Sequence, residues 1–129
     1  MSKWQNDTML EEALNWIKNN ATKMTVCSAQ PTTYAEIATY RLAETTMVVG
    51  DYTISDGDTS GRKCTVAQKS NISVTANGNA THIVLSGTSS SPDLSGDTLM
   101  YIVTCNSQAV EAGKDVSIPA WDIELRDVA

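Results

Sequence analysis

Few side chains in this sequence have types and spacings that could do chemistry. His82 is the single histidine. In the run Thr81-His-Ile-Val-Leu85 strand alternation places it opposite Ile83, beside Ala80 and Val84. Base or nucleophilic work needs a second group within hydrogen-bonding reach, and no serine or cysteine motif supplies one. A packed or surface histidine is the expected outcome. Cys27, Cys64 and Cys105 show no CxxC spacing, so neither a zinc site nor a disulfide framework is indicated, and reduced thiols packing as small apolar groups are expected. Cys27 and Cys105 fall on segments that could be neighbouring strands, but a metal would need a fourth donor. The acidic stretch Asp51 to Asp58 suggests calcium, yet it lacks the EF-hand spacing and the terminal bidentate glutamate. A solvated turn is expected there. Asn20, Asn71 and Asn79 stand in N-x-Ser/Thr triplets, read as chance matches in a chain rich in Asn, Ser and Thr. The residues thus predict no catalytic group, no metal and no cofactor.

Composition narrows the partners. The chain has 129 residues and a formal net charge of −6, with nine Lys and Arg against fifteen Asp and Glu. The cations form no basic run, and phosphate-backbone affinity requires clustered cations, so nucleic acid is not an expected ligand. No apolar stretch reaches the length of a signal-peptide core or a membrane span, so a cytoplasmic product without a membrane partner is expected. A chain of this length suits one domain burying about two-thirds of its unfolded surface.

The elements that must position these residues are mostly strands. Residues 1–7 read as an N-terminal extension, 8–20 as a helix and 23–128 as a β-sandwich. Thr8 and Glu11 fit a capping box, and Leu10, Ala13, Leu14 and Ile17 recur at helical spacing, with Met9 and Trp16 widening the stripe. Packing of that stripe on the sheet is the ordinary outcome. Trp4, Met9 and Trp16 are also candidate anchors of a subunit interface, because aromatic side chains are favoured there. Lys23 to Ala29 alternates as a first strand, stopped by Gln30-Pro31. Tyr34 to Ile37 could form a helical turn, whereas Tyr40, Leu42 and Thr45 to Val49 favour extended chain. Turn signals at Asp56-Gly57, Ser60-Gly61 and Asn77-Gly78 bracket two short strands between Lys63 and Val74. Gly87 to Gly96 is small and polar, and an exposed, mobile loop is expected. In the last segment Trp121, Ile123 and Leu125 share one face and Asp122, Glu124 and Arg126 the other, which fixes register. Pro119 ahead of it suggests a sheet edge or a bend. Seven or eight short strands behind one N-terminal α-helix predict a mainly β protein, an antiparallel β-sandwich of jelly-roll or immunoglobulin-like type.

Taken in order, several stretches resemble a family of small structural proteins of tailed bacteriophages, the head decoration or tail-associated proteins. They are TMLEEALNWIKNN, the Ala29-Gln30-Pro31 break, GDTSGRKCTVA, the pair GNATHIVL and TLMYIVTC, and EAGKDVSIPAWDIEL. The resemblance implies a non-enzymatic virion protein made in the bacterial host cytoplasm, which binds the capsid exterior and cements adjacent capsomers. Its implied partners are the major capsid protein and, by self-association as a dimer or trimer, further copies of itself. A neck, tail-tube or tail-tip component is the alternative. A carbohydrate-binding β-sandwich module is a third reading, since such sandwiches use exposed Trp and Tyr, but core packing accounts for Trp16 and Trp121.

Overall fold

The computed structural model describes residues 7–57, 61–91 and 94–125. It is mainly β, with antiparallel sheets and an N-terminal helix in a sandwich-like arrangement. Helix α1 (Asp7–Asn20) leads directly into β1 (Ala21–Cys27), followed by α2 (Tyr34–Tyr40) and β2 (Arg41–Thr46). After a 3₁₀ turn at Val49–Asp51 come β3 (Tyr52–Asp56), β4 (Arg62–Val66), β5 (Lys69–Ser73), β6 (Gly78–Ser91), β7 (Leu94–Val110), β8 (Asp115–Ile118) and β9 (Trp121–Leu125). Three sheets result, ordered β2-β1-β6-β7, β3-β4-β9 and β5-β8.

Helix α1 turns Leu10, Leu14 and Ile17 inward, while Ala13 of the expected stripe faces solvent. Leu14 and Ile17 belong to the main core, with Met24, Val26 and Leu85 of the large sheet and Tyr52, Cys64, Val66 and Ile123 of the three-stranded one. From Met24 to Cys27 strand β1 is covered on both faces. Its pairings with β6, Met24↔Leu85 and Val26↔Ile83, turn toward the main core, whereas Thr25↔Val84 and Cys27↔His82 turn outward. There α2 closes a second, smaller core of Cys27, Ile37 and Val84. Helix α2 exists because Thr33 caps it, accepting from the Glu36 N–H, while the Glu36 carboxylate reaches back to the Thr32 N–H and hydroxyl. That reciprocal arrangement satisfies donors the helix start would otherwise leave free.

Most expected elements are present, the helix-or-strand stretch and the Pro119 bend among them; the first strand and the segment Gly87 to Gly96 differ. The first strand ends at Cys27 rather than Ala29, because Ser28 already bonds back to the Tyr40 carbonyl at the end of α2. Residues 34–46 are both helix and strand: α2 takes the first half and β2 the second. The bend at Pro119 carries the chain from the two-stranded sheet into the three-stranded one. The segment Gly87 to Gly96 is not the loop its composition suggests. The ladder of β6 and β7 runs on through Gly87↔Thr98, Thr88↔Asp97, Ser89↔Gly96 and Ser90↔Ser95 to Ser91↔Leu94. Ladder hydrogen bonds come from the backbone, so a continuing hairpin does not need apolar side chains on each pair. Since β1 pairs with β6 no further than Ala21↔Gly87, the last four pairs form a two-stranded arm beyond the four-stranded body.

The arm leaves the body at a tight point. A Cβ placed on Gly87 would lie 1.9 Å from the carbonyl oxygen of Asn20, at the junction of α1 and β1. No side chain fits there without moving backbone. Gly87→Ala is therefore expected to cost at least about 3 kcal/mol, the upper range of overpacking penalties. Urea denaturation should show this as a lowered midpoint at unchanged slope; an unaltered midpoint would mean the helix–strand junction is free to shift.

Candidate functional site

Of the side chains that sequence reading singled out, the β1–β6 ladder brings His82 opposite Cys27, and Cys64 and Cys105 lie on other strands. His82 is half-buried on the outer face of the large sheet, opposite Cys27 on β1 and Thr104 on β7. Its Nδ1 shares a 2.8 Å hydrogen bond with the Thr81 hydroxyl. Val84 lies on its face, as strand alternation requires, but Ala80 does not. The ladder slips between Ala80 and His82, which returns Ala80 to the main core. The nearest thiol across the ladder is poorly suited to nucleophilic work. Burial, reinforced by the Glu44 charge and only partly opposed by Arg41, pushes the Cys27 pKa up to about 11. Cys64 and Cys105 are raised by burial as well. All three are free thiols, and Cys27 and Cys105 sit on strands separated by β6.

The acidic residues of the β2–β4 region are used structurally. Burial alone would raise the Asp51 carboxyl, but the Val48 N–H at 2.8 Å and the Lys69 ammonium at 3.0 Å outweigh it and hold the pKa low. Asp56 pairs with Arg62, whose other guanidinium nitrogen meets Glu11 of α1. This triad fastens the start of α1 to the β3–β4 hairpin. No group of three or more potential metal ligands occurs among the described residues.

Of the three candidate interface anchors, Trp4 lies outside the described residues. Met9 is 55% exposed. Trp16 is half-buried and packed against the main core, so much of its surface is already used. Trp121 is likewise packed, stacked on Tyr101 with ring centroids 6.0 Å apart.

Two features were missed by sequence reasoning. One is an apolar cleft of about 400 Å³ between β6–β7 and the β8–β9 bend, walled by Val26, Ile83, Val103, Ile118, Pro119 and Trp121. These residues come from five separated segments, and only sheet packing assembles them. The other is the arm at the end of β6 and β7. Its available signal was the Pro92-Asp93 pair, a turn dipeptide between two Ser/Thr-containing runs.

Thiol burial gives a pH signature. Cys27 keeps its proton in the folded chain at pH values where an unfolded thiol, with its ordinary value of 9.0, releases it. Its contribution is complete below that value and declines as pH rises toward about 11. Unfolding free energy should fall by about 2 kcal/mol over this interval, and Cys27→Ala should flatten that part of the profile; an identical slope in the variant contradicts the assignment. Ellman's reagent should label half-buried Cys105 before the buried Cys27 and Cys64. Compared with protein-family models, curated proteins and solved structures, the chain matches none.

Proposed function

We propose that this protein is a non-enzymatic structural component of a tailed-bacteriophage virion that binds the capsid exterior and cements adjacent capsomers. The observation that carries an assembly role is the two-stranded arm beyond Gly87. An isolated two-stranded ribbon is marginal in water and gains stability from a third strand or a packed face. A ribbon that outruns its own sheet is suited to finding that support on a neighbouring subunit. The Cys27 thiol opposite His82 is held protonated by burial, which fits a packing role for that pair.

The physics of cementing fits a module of this size. A protein that binds only the assembled shell stabilises it by mass action, and many symmetric copies multiply a standard interface. The net charge of −6 favours solubility before assembly and discourages association with nucleic acid. Exposed Met9 and the Val48-Val49 pair offer small apolar contacts outside the arm. The same arm also suits a neck, tail-tube or tail-tip ring, because head-to-tail contacts close into rings when the rotation permits.

Quantitative mass spectrometry of purified particles separates these readings: about one copy per capsid subunit is expected for decoration, and a few per cent for the tail. Absence from particles would overturn both. A chain whose arm is replaced by an Asn-Gly turn joining Thr88 to Asp97 should fold with a midpoint close to the parent's but fail to enter particles. Full incorporation of that variant would remove the arm from the interface.

A further inference from the structure

We infer that Asn77 is a site of spontaneous modification, at which the backbone nitrogen of Gly78 displaces the side-chain amide and leaves an aspartyl or isoaspartyl residue. The reaction needs an asparagine whose side-chain carbon can be reached by the next backbone nitrogen, and three features of the turn supply the conditions. Asn77 is exposed and lies just ahead of β6, outside the strand. Its successor has no side chain to hinder attack, and the fold retains that glycine because a Cβ on residue 78 would press to 3.0 Å from Cδ2 of Leu42. The third feature is electrostatic. The Oδ1 of Asn77 accepts a 2.7 Å hydrogen bond from the Ala112 N–H.

That donor is held firmly. The turn from Glu111 to Lys114 is closed by the Lys114 N–H on the Glu111 carbonyl at 3.1 Å. Gly113 sits at its third position with φ of 88°, the value a type II turn requires. The Gly113 N–H is bonded in turn to the Val74 carbonyl at 3.0 Å, so the two turns are locked side by side.

In the step itself the Gly78 amide gives its proton to solvent and its nitrogen bonds to Cγ of Asn77, placing negative charge on Oδ1. The Ala112 N–H already points at that oxygen and stabilises the charge as an oxyanion-hole donor does. The Cγ–Nδ2 bond then breaks, Nδ2 takes a proton from water and leaves as ammonia, and a five-membered succinimide remains. Water adds to either ring carbonyl and opens it, so the balance is one amide and one water giving one carboxylic acid and one ammonia. The isoaspartyl product inserts a methylene into the main chain immediately before the first β6–β7 pair, Gly78↔Val110. The turn would thus record the age of the folded protein irreversibly.

The test is to incubate the folded full-length chain at pH 8 and 37 °C and follow each asparagine by peptide mapping. Asn77 should convert at least about ten times faster than Asn71, Asn79 or Asn106, and faster than Asn77 in the same chain unfolded in urea, where the Ala112 donor is lost. Ala112→Pro deletes that donor at a turn position where proline is favoured, and should slow conversion roughly tenfold, an exposed-site fraction of what one oxyanion donor gives in an enzyme. Ala112→Gly keeps the N–H and should leave the rate near the parent's. Slower reaction in the folded chain than in urea, or an undiminished rate in Ala112→Pro, overturns the inference. The first comparison stands whether or not the proline variant folds.

Discussion

The architecture depends on β1 being paired along both edges and, over its second half, covered on both faces. Its seven residues hydrogen-bond to β2 on one side and β6 on the other, and their side chains feed the main core and the smaller core under α2 alternately. From Met24 to Cys27 the strand has no solvated face on which to place a polar residue without cost. The one it does bury, Thr25, donates its hydroxyl to Glu44 at 3.0 Å. Glu44 is in turn flanked by Lys23 and Arg41, so the carboxylate that accepts this bond is also neutralised. The start of β1 is tied down separately: the buried Tyr52 hydroxyl donates to the Ala21 carbonyl at 2.9 Å, and Gly87 packs directly on the preceding Asn20 carbonyl. Each contact links the large sheet to α1 or β3, and α1 thereby becomes part of the core.

The long edge of the large sheet shows how the fold limits unwanted pairing. Strand β7 has β6 as its hydrogen-bonded neighbour and lies at the sheet's edge. A long regular edge invites intermolecular pairing, and bulges are one of the ways proteins blunt it. Here the ladder slips twice, between Leu85 and Ser86 and between Ala80 and His82. The second slip passes from Ala80↔Gln108 to His82↔Thr104, and Cys105 and Asn106 within it line the apolar cleft. The opposite edge, β2, is partly closed by the Thr75 N–H on the Leu42 carbonyl and by the Ala43↔Val74 bridge.

Ionic groups play a supporting part throughout. Lys63 and Thr65 hold Asp122 across β4 and β9, Arg62 links α1 to the β3–β4 hairpin, and Lys69 joins β5 to the 3₁₀ turn through Asp51. Each joins elements distant in sequence. Pairs of this partly exposed kind contribute little individually to stability, and their value is in choosing which elements meet. Of the residues that first suggested chemistry, Asp51 and Asp56 are used in this way.

The class of fold, the α1 stripe around Leu14 and Ile17, and the register of β9 were legible from the order of residues alone. In each case the period of apolar residues reports directly which face is buried. A Thr-x-x-Glu pattern, Thr33-Tyr-Ala-Glu36, marked α2, but β-favouring neighbours obscured it. Only the tertiary structure decided that Gly87 to Gly96 continues as paired strands, since backbone ladders are indifferent to Ser and Gly side chains once the flanking strands are in register. The ladder slip that sends Ala80 inward was equally invisible, because period-two alternation assumes an unbroken strand. The cleft near Trp121 and the Ala112 N–H on Asn77 are further still from the sequence. They join residues tens of positions apart, and only the packing of the sheets and turns brings them together.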